Sequence, residues 1–449
     1  MSAYPRLSSF PAVLACALAI GMGSQAPAFA GDAYLPPSVT VSAADTSGCP
    51  QRDTPPPAID TSEDVAPGQT TPAPLPVPEP AIGELSGATC GYLLPTDSPD
   101  LPSDISASAW LVADLDSGQI LGAKDVHGRY RPASTLKLLT ALTMLTNLPD
   151  LNQVVTGSNE DAQQEGSRVG IGEGGKYTVG QLLLFMMMGS GNDTAFALAR
   201  ANGGYDKTVA DMNAQAAALG AADTRASTVS GLDGAGQMTS VYDLGLIIRA
   251  AMAHPAFPPL ISTPYSTVPG FGTEPEFGIA NDNKLLLNYP GALGGKTGFT
   301  DDAGNTYVGL AERDGRRLLV TMLGGSQQPR RQWMQAASLL DWGFSLAAPK
   351  VPAAVPWLGR LVNSASDGSE IDKPSLPTTP DTPGAISTDA VGVADETSSV
   401  PPSAPTAGAA LPQTNPGASS WDSLRWVVAT GIVVVGLGGA VMLAARRRS

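Results

Sequence analysis

Proline decides where this chain can build a core. Residues 31 to about 105 and 347 to about 420 are dense in Pro, Thr, Ser, Asp and Ala, including Pro55-Pro56-Pro57 and the run from Pro72 to Pro80. Such stretches cannot bury enough apolar surface to offset the entropy of ordering them. One globular unit remains, about 106–346, which is long enough for a substantial core. At its start Trp110-Leu111-Val112-Ala113-Asp114-Leu115 reads as a strand, Asp116-Ser117-Gly118 as a turn and Gln119 to Gly122 as the partner strand. Near its end Asn305 to Arg313 and Arg316 to Gly324 make a second hairpin on the favoured turn Asp314-Gly315. Four helical stretches lie between, Ser134 to Leu148, Thr178 to Met188, Tyr205 to Leu219 and Ser240 to His254, and residues 327–345 close the unit as a helix. Strands at both ends around a helical middle predict an α+β fold, one antiparallel sheet with an inserted all-α lobe.

The flanks speak to location. Arg6, the apolar stretch Ala12 to Met22 and the small-x-small Ala28-Phe29-Ala30 predict a signal peptide over 1–30. At the other end Trp426 to Ala445 carries no charge and is about 30 Å long as a helix, enough to span a bilayer. Arg446, Arg447 and Arg448 follow at once, so the tail 446–449 belongs in the cytoplasm and everything upstream outside. Leu411-Pro412-Gln413-Thr414-Asn415 is similar to a sortase sorting signal, with Asn415 where Gly is usual; the length of the apolar run favours a retained span. Residues 31–105 then form an extracytoplasmic leader, and 347–420 a stalk with a reach of roughly 50 Å. Cys49 and Cys90 form a pair in an oxidising compartment, which predicts a disulfide worth about 4 kcal/mol in the chain-entropy model. The net charge of −15 and the absence of a basic patch argue against nucleic-acid binding.

The chemistry concentrates in three short runs. Ser134-Thr135-Leu136-Lys137 opens an apolar helix that must be central and buried. Ser134 stands at the helix N-terminus, where free N–H groups stabilise developing negative charge. Lys137, three residues on, lies on the same face. Desolvation and a second cation would strip its proton affinity and let it take the proton from Ser134. Taken alone, the run is equally an ordinary helix start. Ser190-Gly191-Asn192 follows a helix whose Thr178-x-x-Gln181 start looks like a capping box; it is either a plain helix–helix turn or a place to relay a proton and hold a substrate amide. Gly294-Gly295-Lys296-Thr297-Gly298-Phe299-Thr300 predicts a strand with little side-chain bulk, beside which an extended peptide can lie. Lys296 and the hydroxyls of Thr297 and Thr300 would meet a carboxylate. A phosphate loop needs four residues between its glycines, and Gly291 to Gly295 leaves three. Neither a metal nor a cofactor is called for, and two cysteines with two distant histidines make no zinc site.

In this order the three runs resemble the serine penicillin-binding protein and β-lactamase superfamily. From Trp110 to about Ser345 the chain looks more narrowly like the low-molecular-mass serine-type D-alanyl-D-alanine carboxypeptidases. Supporting runs are Arg131-Pro132-Ala133-Ser134, Ser230-Gly231-Leu232-Asp233-Gly234 and Asn281-Asp282-Asn283-Lys284-Leu285-Leu286. The resemblance implies a five-stranded antiparallel sheet flanked by helices with an all-α lobe. It implies a catalytic trio, Ser134 as nucleophile, Lys137 as base and Ser190 as proton relay. Asn192, Lys296, Thr297, Gly298, Phe299 and Thr300 would bind substrate, with N–H groups of Ser134 and Phe299 as the oxyanion hole. The expected substrate is a peptidoglycan stem peptide ending in D-Ala-D-Ala, with β-lactams as covalent inhibitors. The alternatives are a β-lactamase, a D,D-transpeptidase or a non-hydrolytic wall-binding sensor. Class A β-lactamases deacylate with a glutamate that has no counterpart here, since no Glu occurs from Asp193 to Thr273.

Overall fold

The computed structural model describes residues 48–65, 67–78, 82–83, 85, 90–346 and 358–362. The expected signal peptide 1–30, nearly all of the expected stalk 347–420, the apolar run 426–445 and the tail 446–449 lie outside these residues. Among the described residues no helix is long and apolar enough to cross a membrane.

The chain begins with β1 (Tyr92–Leu93), β2 (Ala109–Asp114), β3 (Ile120–Lys124), a 3-10 turn (Ala133–Leu136) and α1 (Lys137–Asn147). The middle comprises β4 (Val154–Thr156), α2 (Asn159–Ala162), β5 (Lys176–Thr178), α3 (Val179–Gly189), α4 (Asn192–Ala201), α5 (Tyr205–Ala218) and α6 (Val241–Ala253). After α7 (Pro258–Ser262) come the small hairpin β6 (Tyr265–Val268) and β7 (Phe277–Ala280), then α8 (Lys284–Asn288). The last stretch is β8 (Ala292–Thr300), β9 (Gly304–Arg313), β10 (Arg316–Gly325) and α9 (Gln332–Leu346).

Strand order in the main sheet is β1-β3-β2-β10-β9-β8, antiparallel throughout. Every residue of β2 is buried, because each face of the sheet is covered. Leu111 and Ala113 pack with the α1 and α6 side chains, whereas Trp110 and Val112 pack with Leu339 and Trp342 of α9. This two-sided burial is why the sequence shows an unbroken apolar run there instead of alternation. The sheet has six strands rather than five. The extra one is β1, where Tyr92 and Leu93 pair with Lys124 and Ala123. Cys90, bonded to Cys49 with a Cα–Cα distance of 5.4 Å, fixes the chain just before it. Two residues are too few for any periodicity to announce them. The closing helix starts at Gln332 and not at 327, because Ser326 and Gln328 bond each other in a local turn ahead of Pro329.

A mostly buried ion pair ties the leader to the catalytic unit at Ile82. His127 Nδ1 lies 2.8 Å from Asp223 Oδ2, and its Nε2 lies 3.0 Å from Ile82 O. Burial acts to lower the His127 pKa, but the Asp223 hydrogen bond and charge outweigh it, leaving the imidazole above its ordinary 6.5. A raised histidine adds stability below the unfolded value, and that contribution is lost as pH climbs through the folded one. Wild type is therefore expected to exceed His127→Gln in stability by about 1–2 kcal/mol near pH 5.5. Denaturant melts at a series of pH values should show this gap narrowing towards pH 9; a gap independent of pH would contradict the assignment.

Candidate active site

Ser134 does not open an α-helix as its sequence suggests. It sits in the 3-10 turn Ala133–Leu136, and α1 proper begins at Lys137. The cause lies in tertiary contacts. Ala133 has φ +46°, left-handed for a residue that carries a Cβ. Pro132 O accepts from Thr135 Oγ1 (2.6 Å) and from Thr306 Oγ1 of β9 (2.7 Å). Gly231 comes so close that a Cβ on it would stand 2.0 Å from Ala133 O. Neighbours on two sides thus hold a backbone that propensity alone would straighten, the usual setting of stored strain at a functional site.

Residues 137–145 of α1 are all buried, so Lys137 lies fully inside. Its Nζ contacts Ser134 Oγ at 2.9 Å, Asn192 Oδ1 at 2.7 Å and Ser230 O at 2.5 Å. Burial drives its proton affinity well below that of a free lysine and the Lys296 charge adds to this, against smaller opposing effects of Asp282 and Asp193.

The second run is the corner between α3 and α4. Thr178 and Gln181 form the capping box at the start of α3. Ser190 ends the helix at φ +57°, again left-handed, with only 6% of its surface exposed. Its hydroxyl is not among the partners of Lys137. Asn192 is the first residue of α4, and its Nδ2 donates to Glu165 O at 2.5 Å. Asp193 accepts from the N–H groups of Val169, Gly170 and Ile171, so the 165–171 loop is tied to this corner.

The third run is β8, the last strand in the sheet order, with its outer side against the nucleophile turn. Lys296 is fully buried; its Nζ donates to Thr297 O (2.8 Å), and burial lowers its proton affinity, with Asp282 opposing. Thr297 Oγ1 donates to Asp282 Oδ2 at 2.9 Å. At Gly298 a Cβ would stand 2.9 Å from Ser134 N and 3.0 Å from Thr135 N, so the strand and the nucleophile turn touch backbone to backbone. Phe299 is 59% exposed, and Thr300 Oγ1 accepts from Ala303 N at 3.0 Å.

Ser134, Lys137 and Asn192 are thus brought into one hydrogen-bonded group, with Gly298 pressed against it. Thr300 lies further along the strand, its hydroxyl bonded to Ala303 N. Sequence reasoning left two partners of this group without a role. Ser230 and Glu165 contribute only main-chain carbonyls, which no residue type advertises; the Ser230-Gly231 run was visible, its carbonyl was not.

A family model described as D-alanyl-D-alanine carboxypeptidase matches residues 96–327. The D-alanyl-D-alanine carboxypeptidase DacB2 of Mycobacterium tuberculosis is 47% identical over 256 residues, covering 56% of this chain and 87% of that protein. DacF of Bacillus subtilis, also a D-alanyl-D-alanine carboxypeptidase, is 28% identical over 244 residues, covering 53% of this chain and 62% of its own length. Among solved structures, a D-alanyl-D-alanine carboxypeptidase from M. tuberculosis H37Rv aligns with a TM-score of 0.55 at 44% identity, covering 60% of this chain and 99% of that one. The Streptomyces K15 DD-transpeptidase aligns with a TM-score of 0.51 at 28% identity, covering 55% and 100%.

Proposed function

This chain belongs to the D-alanyl-D-alanine carboxypeptidase family, and from that premise we propose how its own residues carry the reaction. It is a serine-type hydrolase that removes the terminal D-Ala from peptidoglycan stem peptides through an acyl-enzyme, and β-lactams acylate the same serine.

The observation that carries this reading is the set of partners around Lys137 Nζ. A neutral amine has two N–H bonds and one lone pair. Asn192 Oδ1 and Ser230 O are fixed acceptors for the two N–H bonds, which leaves the lone pair facing the Ser134 hydroxyl. Lys137 takes that proton as Ser134 Oγ attacks the carbonyl of the penultimate D-Ala. N–H groups of Ser134 and Phe299 meet the oxyanion as it forms. As the C–N bond breaks, the departing amine receives the proton that Lys137 took; Ser190, though its hydroxyl is not bonded to Lys137, is the proposed relay. Water then cleaves the ester and regenerates Ser134. Asn192 holds the substrate amide against the edge strand β8, while Lys296, Thr297 and Thr300 receive the terminal carboxylate. A carboxylate beside Lys296 also favours that lysine's charged form, opposing its burial.

D-alanine release from a D-Ala-D-Ala pentapeptide tests the proposal directly. After penicillin treatment, an intact-mass increase equal to the antibiotic should map to the peptide containing Ser134. Absence of both would overturn the assignment. No Glu stands between Asp193 and Thr273 to activate water against a penicilloyl ester, so the adduct should persist, and a chromogenic β-lactam should turn over slowly. The likeness to a DD-transpeptidase favours one second reading, transfer of the acyl group to an amine in place of water.

The site works outside the cytoplasm. A signal peptide over 1–30, a single span over 426–445 and the Arg446–Arg448 tail would hold it there on the stalk, and the Cys49–Cys90 bond suits an oxidising compartment.

A further inference from the structure

The leader touches the catalytic unit at two points that flank the substrate strand. On one side Arg131, three residues before the nucleophile, forks onto the Glu63 carboxylate and donates through Nη1 to Pro56 O at 2.7 Å. On the other side Asp302 accepts from Ile59 N (2.6 Å) and Ser62 Oγ (3.2 Å). Asp302 lies in the turn that joins β8 to β9, two residues beyond Thr300. Asp233, half-buried, stands within electrostatic reach of both anchors, Asp302 on one side and Arg131 and Glu63 on the other. Residues 56–63 therefore bridge the nucleophile side of the cleft to the turn at the end of β8.

This bridge is firmly mounted. Arg129 is fully buried, and its guanidinium donates to three leader carbonyls, Asp53 O (3.1 Å), Leu75 O (2.7 Å) and Pro76 O (2.8 Å), while Nε donates to Asp223. Lifting the leader would strand a buried cation, a large penalty. The Cys49–Cys90 bond closes the same segment covalently.

We infer that leader residues 56–63 form the end wall of the subsite that receives the terminal carboxylate, and so determine which amines can leave or enter there. The inference rests on the carboxypeptidase reading above. D-alanine ends at its carboxylate and fits in front of the wall. A cross-linked stem peptide breaks the same kind of D-Ala amide, but its leaving amine carries a whole second peptide, which the wall obstructs. The reverse step, attack on the acyl-enzyme by a peptide-bearing amine, meets the same obstacle. The leader thus biases the enzyme towards hydrolysis of uncross-linked ends.

The test uses the full chain with Glu63→Gln and Asp302→Asn, one change at each anchor and neither in the catalytic group. Two substrates are compared: a monomeric pentapeptide ending in D-Ala-D-Ala and a dimer joined through D-Ala to a side-chain amine. The expected result is a dimer-to-monomer ratio of kcat/KM that rises at least about tenfold in both variants, while monomer hydrolysis stays within about twofold. An unchanged ratio, or equal losses on both substrates, would assign the leader a purely structural role and overturn the inference. So would a wild-type enzyme that already cleaves dimer as fast as monomer. Failure of wild type to release D-alanine from the monomer would instead strike the carboxypeptidase reading. If one variant does not fold, the other still reads the ratio, because the two changes lie at separate anchors of the same segment.

Discussion

Lys137→Met is expected to slow acylation of Ser134 by about 10³-fold while leaving the fold in place, a magnitude within the range for loss of a positioned general base. Methionine matches the buried stem in length and shape, so the apolar wall around α1 survives and only the amine is lost. Neither histidine stands ready to replace it. The chain has two histidines. His127 is engaged with Asp223 and Ile82, and His254 with the N–H of Ala256 at the end of α6. Time-resolved intact-mass measurement of the penicillin adduct reads the rate directly, and adduct formation as fast as wild type would sink the mechanism. The two residues act as a unit, so a Ser134→Ala, Lys137→Met double variant should hydrolyse peptide no worse than Ser134→Ala alone. The pH profile carries a further signature. Because burial and Lys296 lower the Lys137 proton affinity, the acidic limb of acylation should lie far below the 10.5 of a free lysine, with the rate rising as the amine loses its proton.

The second large effect is expected at Gly298. An alanine Cβ there would sit 2.3 Å from Thr306 Oγ1 as well as close to the Ser134 and Thr135 nitrogens. Thr306 cannot swing aside freely, since its hydroxyl is bonded to Pro132 O and helps hold the strained turn. Strand and turn must therefore part by several tenths of an ångström. Misplacement next to the reacting atoms costs up to about 10²-fold in rate as it approaches about 1 Å, and the overpacking costs about 1–3 kcal/mol in stability. Penicillin acylation and a denaturant melt measure the two separately. Gly278→Ala in β7, where a Cβ would meet nothing within 4 Å, is the matched control. Full activity in Gly298→Ala would mean that the backbone contact does not set the geometry of the site.

Much of this could be read from residues in line. The Ser134–Lys137 spacing places hydroxyl and amine together whether the turn is α or 3-10, so the pairing was legible even though the local structure was not. The left-handed bend at Ala133 depends on Gly231 and Thr306, about a hundred and about a hundred and seventy residues away, and alanine itself gives no hint of it. Lys296 and Gly298 announced a narrow strand, but that β8 is terminal in the sheet emerges only from pairing. The leader was opaque for another reason. Among its described residues it carries no helix and no strand beyond β1, and its composition hides what its carbonyls grip. Beside the Asp223 and Glu63 carboxylates, main-chain oxygens take three bonds from Arg129 and one from Arg131, and a pattern of side chains cannot reveal those.

Arg129 has a consequence for how the molecule comes to exist. The region matched by the family model begins at residue 96, yet three of the four oxygens bonded to this guanidinium belong to residues 53, 75 and 76, the fourth to Asp223. A chain cut at the family boundary would thus carry an ion that had left most of its solvent shell behind. During synthesis the order is reversed: that shell is made first, and the later-born domain closes around a part already waiting for it.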